Sequence, residues 1–218
     1  MNQSNLKEIE GIVFGVSSPE YIKNTAVCKI NSTKMSGPEP GTVYDPAMGP
    51  CFDNVTKCTT CGENAKVCTG HFGYIELNYP VVHPLFYKMV SQWLKCFCSN
   101  CHRLLLTQDH IELSNLHKCS GITRFNNILN RLDKVDICCH CKHPQPIHNF
   151  TQPENQFSVS HTHRDDDGDK KTVTLVLTAE DILHVFENVI DDDIRLLGMD
   201  PENVHPKNFV LTYLPVLP

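Results

Sequence analysis

The stretch KCTTCGENAKVCTGHF gathers side chains of the types and spacing that hold a metal. Cys58, Cys61, Cys68 and His71 form the pattern C-x2-C-x6-C-x2-H. A two-residue gap lets both sulfurs of one turn face an ion about 2.3 Å away. Gly62 and Gly70 stand just after and just before ligands, where the backbone must turn tightly. A catalytic zinc keeps one position open for water, whereas four Cys/His ligands close the site, so the spacing predicts a structural zinc. The deaminase pattern, H-x-E followed by P-C-x-x-C, is absent. A zinc hydrolase or deaminase is therefore disfavoured.

A second all-cysteine site is expected from two C-x2-C halves, Cys98 with Cys101 and Cys138 with Cys141. The segment His102–Cys119 and a helix after it would loop out between them. Cys139, His140 and His143 stand close enough in sequence to compete as ligands, and spacing alone leaves that choice open. Cys96 and Cys119 have no partner at ligand spacing and are expected as core thiols. Neither C-x2-C pair sits in the βαβ context of a thioredoxin-like redox motif.

Disulfides are the competing use of twelve cysteines in 218 residues. The N-terminus, MNQSNLKEIEG, shows no apolar run of a secretory signal. No 18-residue apolar stretch suggests a membrane span, so no membrane partner is expected. An intracellular, reducing compartment keeps thiols free, and clustered cysteines there more often bind metal than pair.

The metal-ligating turns need elements to hold them. Glu8–Ile30 reads as strand, short helix and strand, with Ser18-Pro19 as cap and first turn. A Gly- and Pro-rich loop follows over Asn31–Asn54, and long irregular loops are usually functional or braced. YIELNYPVV reads as a strand ending at Pro80. Pro84 opens a helix, PLFYKMVSQWLKCF, whose Leu85, Met89, Val90, Trp93 and Leu94 share one core-facing stripe. Ile122–Leu132 is a second amphipathic segment, with Phe125, Ile128 and Leu129 in phase. Gln156–Ser160 and Thr172–Leu177 read as strands flanking a charged turn at Arg164–Lys171. Thr178 with Asp181 forms a capping box for a helix through about Val189. A short helix ends near Gly198. The fold class is α+β: an irregular zinc-braced domain of short strands, hairpins and several helices.

The formal charge of −6, with 19 Lys and Arg against 25 Asp and Glu, argues against a free-standing nucleic-acid binder. Contact with DNA would come from local patches within a larger assembly.

The order of motifs resembles the N-terminus of the largest subunit of multisubunit DNA-directed RNA polymerase. That family reads C-x2-C-x6-9-C-x-G-H-F-G-h-I-x-L and then P-V-x-H. The matching residues are Cys58, Cys61, Cys68, Gly70, His71, Phe72, Gly73, Ile75, Leu77, Pro80, Val81 and His83. CFCSNCHRLLL and CCHCKHPQP fall where the family has its second zinc site. LLGMDPENVHPKNFVLTYLPVLP resembles the family's closing L-G-x-x-P…L-T-h-L-P-V-P-P, with Leu217 where Pro is usual. YDPAMG and HPLFYKMVSQWL resemble the branch from large DNA viruses. The resemblance covers essentially the whole chain.

It implies a clamp core over residues 1–95 with the first zinc site. A clamp head over 96–218 would carry the second, and a C-terminal helix-strand segment would return to the core. Its partners would be the other polymerase subunits, especially the second-largest, with template DNA and the RNA–DNA hybrid enclosed in the assembled enzyme. The cofactors implied are two structural Zn2+ here and Mg2+ only in the part of the enzyme outside this chain. Expected localisation is the nucleus, or a cytoplasmic viral factory or virion.

DDDGD, Asp165–Asp169, matches the D-x-D-G-D core of the family's magnesium motif, N-A-D-F-D-G-D. His163, Arg164 and Asp166 break the match, and the flanking strand-like runs around Asp-Gly read as a hairpin tip. No catalytic residue is therefore expected here, and the segment alone should be inactive as a nucleotidyltransferase. The alternative function is a stand-alone zinc-stabilised protein-interaction module.

Overall fold

The computed structural model describes residues 11–12, 14–34, 37–50, 55–133, 135–151, 156–164 and 170–218. In chain order they form α1 (Pro19–Thr25), β1 (Cys28–Lys29), β2 (Gly73–Val82), α2 (Tyr87–Leu94), α3 (Gln108–Leu113) and α4 (Gly121–Leu132). Then follow β3 (Ile147–Thr151), β4 (Gln156–Arg164), β5 (Lys170–Leu177), α5 (Ala179–Glu187), α6 (Asp191–Leu196) and β6 (Val210–Val216). The class is α+β. Two separate three-stranded sheets have the orders β1-β2-β6 and β3-β4-β5. β1 runs parallel to β2, and β6 runs antiparallel to it, so the end of the described chain returns to its beginning. Among the described residues no helix is long and apolar enough to cross a membrane.

Local signals read from sequence account for several boundaries. The Ser18 side chain accepts a hydrogen bond from Tyr21 N, with Pro19 in the first turn of α1. The Thr178–Asp181 capping box is present at both ends: the hydroxyl accepts from Asp181 N, and the Asp181 carboxylate accepts from Thr178 N. β4 and β5 pair out to Arg164 opposite Lys170. The expected hairpin tip, with Asp165, Asp167 and Asp169, lies outside the described residues.

Other expectations are corrected. The described residues before Ser18 form no strand. Val16 N makes one bond to Asn203 O at 2.9 Å, and a Cβ on Gly15 would meet that same oxygen at 2.7 Å. The Val16 carbonyl is taken by the Asn208 side chain, Nδ2 donating at 3.2 Å, rather than by a partner strand, and residues 8–10 and 13 of the expected strand lie outside the described residues. β2 continues past Pro80 to Val82, because its pairing with β6 shifts register between Glu76 and Val81. A proline with no N–H to donate is tolerated at such a bulge.

The helix expected from Pro84 opens as a 3-10 turn over Pro84–Phe86, and α2 begins at Tyr87. Three residues per turn instead of 3.6 put Leu85 out of phase with the buried stripe, and it is 83% exposed. Val90, Trp93 and Leu94 are buried as expected. α3 and β3 were not expected.

One hydrophobic core runs through Val90, Trp93, Phe97, Phe125, Ile128, Ile182, Phe186 and Phe209, while buried Ile22, Ile30, Met48 and Cys58, near the first cysteine group, lie outside it. Trp93 is its hub, with ring centroids 5.4 Å from Phe125, 6.0 Å from Phe97 and 6.1 Å from Phe209. Two His-Pro turns frame this core. His83 and His205 each cap a 3-10 turn, accepting through Nδ1 from Leu85 N and Lys207 N at 3.2 Å. The turns meet where His83 N donates to Phe209 O at 2.8 Å and the Phe86 and Phe209 rings pack 5.1 Å apart.

Candidate metal centres

Cys58, Cys61, Cys68 and His71 come together in one group, and Cys98, Cys101, Cys138 and Cys141 in another. Within each group the four ligand atoms all lie within 4.8 Å of one another. All eight residues singled out from sequence are therefore gathered in the predicted sets. Cys68 Sγ is 3.7 Å from His71 Nε2, Cys98 Sγ is 3.5 Å from Cys141 Sγ, and Cys101 Sγ is 3.7 Å from Cys138 Sγ. Zinc–sulfur bonds of about 2.3 Å in a tetrahedron separate the sulfurs by about 3.8 Å, so these spacings fit a single ion. A disulfide would need about 2.05 Å, and every described cysteine is a free thiol.

Three of the four half-sites share one backbone device. Cys58 N, Cys98 N and Cys138 N donate to the carbonyls of Glu63, Arg103 and His143, each at 2.9 Å. Gly62 N, His102 N and Lys142 N close the turn on the carbonyls of the same cysteines, at 2.9, 3.0 and 3.1 Å. The residue after the second cysteine must then be left-handed: φ is +75° at Gly62, +57° at His102 and +60° at Lys142. Only the first of these has the residue that favours such a φ. Amides also point at sulfur, with Asn100 N and His140 N each 3.4 Å from Cys98 Sγ and Cys138 Sγ. The fourth half-site differs, and Gly70 N donates to Cys68 Sγ at 3.4 Å.

The electrostatics of the second group call for a cation. The backbone N–H of His143 pulls the Cys141 thiol down to about 6. Burial, against the pull of the Arg103 backbone N–H and with neighbouring thiols adding to it, pushes Cys101 up to about 12. Sulfurs this close cannot all ionise unaided, because each thiolate disfavours the next. A dication between them reverses that penalty and is a fit for four thiolate donors.

Two of the three competing ligands, Cys139 and His140, are directed to backbone carbonyls. Cys139 Sγ donates to Leu105 O at 3.5 Å, and His140 Nε2 lies 3.1 Å from Leu104 O. His143 contributes its backbone to the knuckle, and its Nδ1 is buried without a hydrogen-bond partner. Cys96 is fully buried in the core, as expected. Cys119 is only half-buried, with Asn127 Nδ2 donating to its sulfur at 3.7 Å, so it is not a core thiol.

Sequence reasoning missed the support for the second group. Arg103, two residues beyond Cys101, donates from Nε to Asp193 Oδ2 at 2.8 Å and from a terminal nitrogen to Asp193 Oδ1 at 3.1 Å. Gln145 Nε2 donates to Cys98 Sγ at 3.3 Å, and its Oε1 accepts from Ser99 N. No local pattern announces partners so far apart in sequence.

Residues 6–218 match the family model of RNA polymerase Rpb1, domain 1. The chain belongs to that family. This is the N-terminal domain of the polymerase's largest subunit. It is 35% identical over 226 residues to the probable DNA-directed RNA polymerase II subunit RPB1 homolog of Invertebrate iridescent virus 6, covering 99% of this chain and 21% of that protein. Against the DNA-directed RNA polymerase subunit Rpo1N of Methanocaldococcus jannaschii, identity is 33% over 223 residues, with 97% of this chain and 16% of the relative covered. The Rpo1N of Methanothermobacter thermautotrophicus is 32% identical over 223 residues, with 98% and 24% covered. This Rpb1 domain 1 chain thus spans between 16% and 24% of the length of these relatives.

Proposed function

We propose that this domain forms a clamp segment of a DNA-directed RNA polymerase, helping to enclose template DNA and the RNA–DNA hybrid, and that it is structural. The observation that carries the proposal is the family match over residues 6–218 combined with two closed ligand sets. Each set would hold one Zn2+ through Cys58, Cys61, Cys68 and His71, or through Cys98, Cys101, Cys138 and Cys141. The metal supplies rigidity: it fixes loops that have little apolar surface of their own. Residues 1–95 would act as the clamp core and 96–218 as the head, joined through the β2–β6 ladder. Partners would be the other subunits, the second-largest foremost, in a reducing compartment: the nucleus, or a viral factory or virion. Catalytic Mg2+ would belong to the remainder of the enzyme.

Enclosure does not require strong intrinsic affinity. With a net charge of −6 this chain offers few phosphate contacts, and duplex affinity comes largely from Lys and Arg releasing counterions. A jaw needs only to surround nucleic acid that the rest of the machine grips.

The test is an assembled polymerase carrying Cys68→Ser in this domain. Expected are a shorter lifetime of transcribing complexes in high salt and a near-normal rate of single nucleotide addition. An unchanged lifetime would overturn the enclosing role. Sub-micromolar, sequence-selective duplex binding by this chain alone, at about 0.15 M salt, would favour the independent interaction module instead.

A further inference from the structure

The β3–β4–β5 sheet rests on α2 at two points. At one, the Tyr87 ring lies 5.9 Å from both Phe150 and Phe157. At the other stands His148, two residues before Phe150 and so on the same face of β3, in register with Val159. Lys95, which follows α2 about two turns beyond Tyr87, lines one cavity together with His148, Gln145, Asp133 and Asp136. His148 Nδ1 is buried there and has no hydrogen-bond partner.

The charged and titratable groups around that imidazole come from every element packed on it. Lys95 comes from the end of α2, and His161 from β4, one position along the same face from Val159. Asp133 and Asp136 come from the segment after α4. Both carboxylates line the cavity, yet neither bonds to Nδ1.

We propose that His148 is a proton-operated latch: neutral, it lets the β3–β5 sheet dock on the end of α2, and protonated, it drives the two apart. A proton on His148 would place a second cation in the half-open cavity that the Lys95 ammonium lines, on an Nδ1 that is shut off from water and has no acceptor. Burial first, and then Lys95 and His161, hold the docked imidazole down at about 4 against its ordinary 6.5. The docked form therefore binds fewer protons than the undocked one. Docking is at full strength above pH 6.5, weakens as pH falls from 6.5 toward 4, and levels off below that.

Hydrogen exchange of the β3 and β4 amides in the zinc-loaded 218-residue chain tests this, between about pH 7.5 and 5.5 and corrected for intrinsic rates. Zinc content is measured in every sample, so that acid release of metal is separated from undocking. The opening equilibrium of the sheet should rise about tenfold over that range, while α4 amides stay level. His148→Gln should abolish the rise, and Lys95→Met should raise the midpoint of the docked imidazole. An imidazole NMR titration of the wild-type chain reads His148 directly and needs no variant. A midpoint well below 6 supports the latch. A midpoint near the ordinary value, or equal pH slopes in wild type and His148→Gln, overturns it.

Discussion

Arg103 and Asp193, 90 residues apart in sequence, lock the second cysteine group to α6 with a two-pronged ion pair. The two partners are not equivalent. The Asp193 side chain is 2% exposed and also accepts from Leu104 N at 2.9 Å, whereas the Arg103 side chain is 42% exposed. Removing the cation strands a buried carboxylate; removing the anion leaves a guanidinium that can turn to water. Arg103→Met should cost about 2–3 kcal/mol, less than for a fully buried pair because the guanidinium is partly solvated. Asp193→Asn, which keeps an acceptor for Leu104, should cost only about 1–2 kcal/mol. Urea unfolding of the zinc-loaded variants measures both, and equal costs would reduce the contact to an ordinary surface pair.

Metal content after exhaustive dialysis should be two zinc ions per chain, one for each ligand group. Cys68→Ser and Cys138→Ser should each fall to one and lower the thermal midpoint sharply. Binding of a structural zinc is folding energy, about 10–16 kcal/mol for an entire site. Cys119→Ser and Cys139→Ser should keep both ions. Loss of an ion from Cys139→Ser would mean that the second group uses a different sulfur.

The shared knuckle geometry gives a stability series at one structural position. Nothing lies within 4 Å of a Cβ added to Gly62, so Gly62→Ala suffers only the left-handed backbone, about 1–2 kcal/mol. Lys142 already bears that strain at φ +60°. Lys142→Gly should therefore gain up to about 1 kcal/mol. Gly70→Ala should be worse than Gly62→Ala, because its new methyl would collide with the Pro218 ring. Thermal midpoints at saturating zinc rank the three, and an inverted order would disprove the argument.

The capping box of α5 should show in the acid limb of stability. Hydrogen bonds from the Thr178 side chain and backbone hold the Asp181 carboxyl below the ordinary value of 3.8. With the folded value depressed, the stabilisation is complete above the unfolded value and is lost as pH falls through the folded one. Thr178→Ala should cost about 1 kcal/mol at neutral pH. Its deficit should shrink below pH 3.8 as the carboxylate is neutralised in both proteins. A deficit independent of pH would mean that the Asp181 half of the box contributes nothing.

What was legible in the sequence is what neighbouring residues determine. The C-x2-C turns, the Ser18 and Thr178 caps and the Val90–Trp93–Leu94 stripe each depend on contacts within a few residues, and each appears where spacing put it. The two halves of the second group were legible as C-x2-C pairs, but the choice between them and Cys139, His140 or His143 was not, because it depends on how the fold gathers the four sulfurs. Leu85 was misplaced because proline capping by His83 sets a 3-10 turn before the α-helical phase begins. β3 was hidden because its alternation is weak: His148 and Phe150 face inward between exposed Ile147, Asn149 and Thr151. Its strand character comes from pairing with β4, which is information from outside the segment. The Arg103–Asp193 pair was invisible for the same reason.

The return of β6 to β2 sets a timetable for making the protein. Val82 and Val210 are partners in the ladder, so sealing it closes a loop of roughly 130 residues, whose entropy must be overcome before the pairing helps. A ribosome adding about 5–20 residues per second needs on the order of ten seconds to deliver that partner. The first cysteine group is complete by His71 and could take its metal early. β2 meanwhile has only the two residues of β1 beside it and carries an open edge on its other side. Open edges recruit other strands. A nascent or truncated chain that stops before Val210 should therefore depend on chaperones and be prone to aggregate, whereas one that reaches Val216 can close its own sheet.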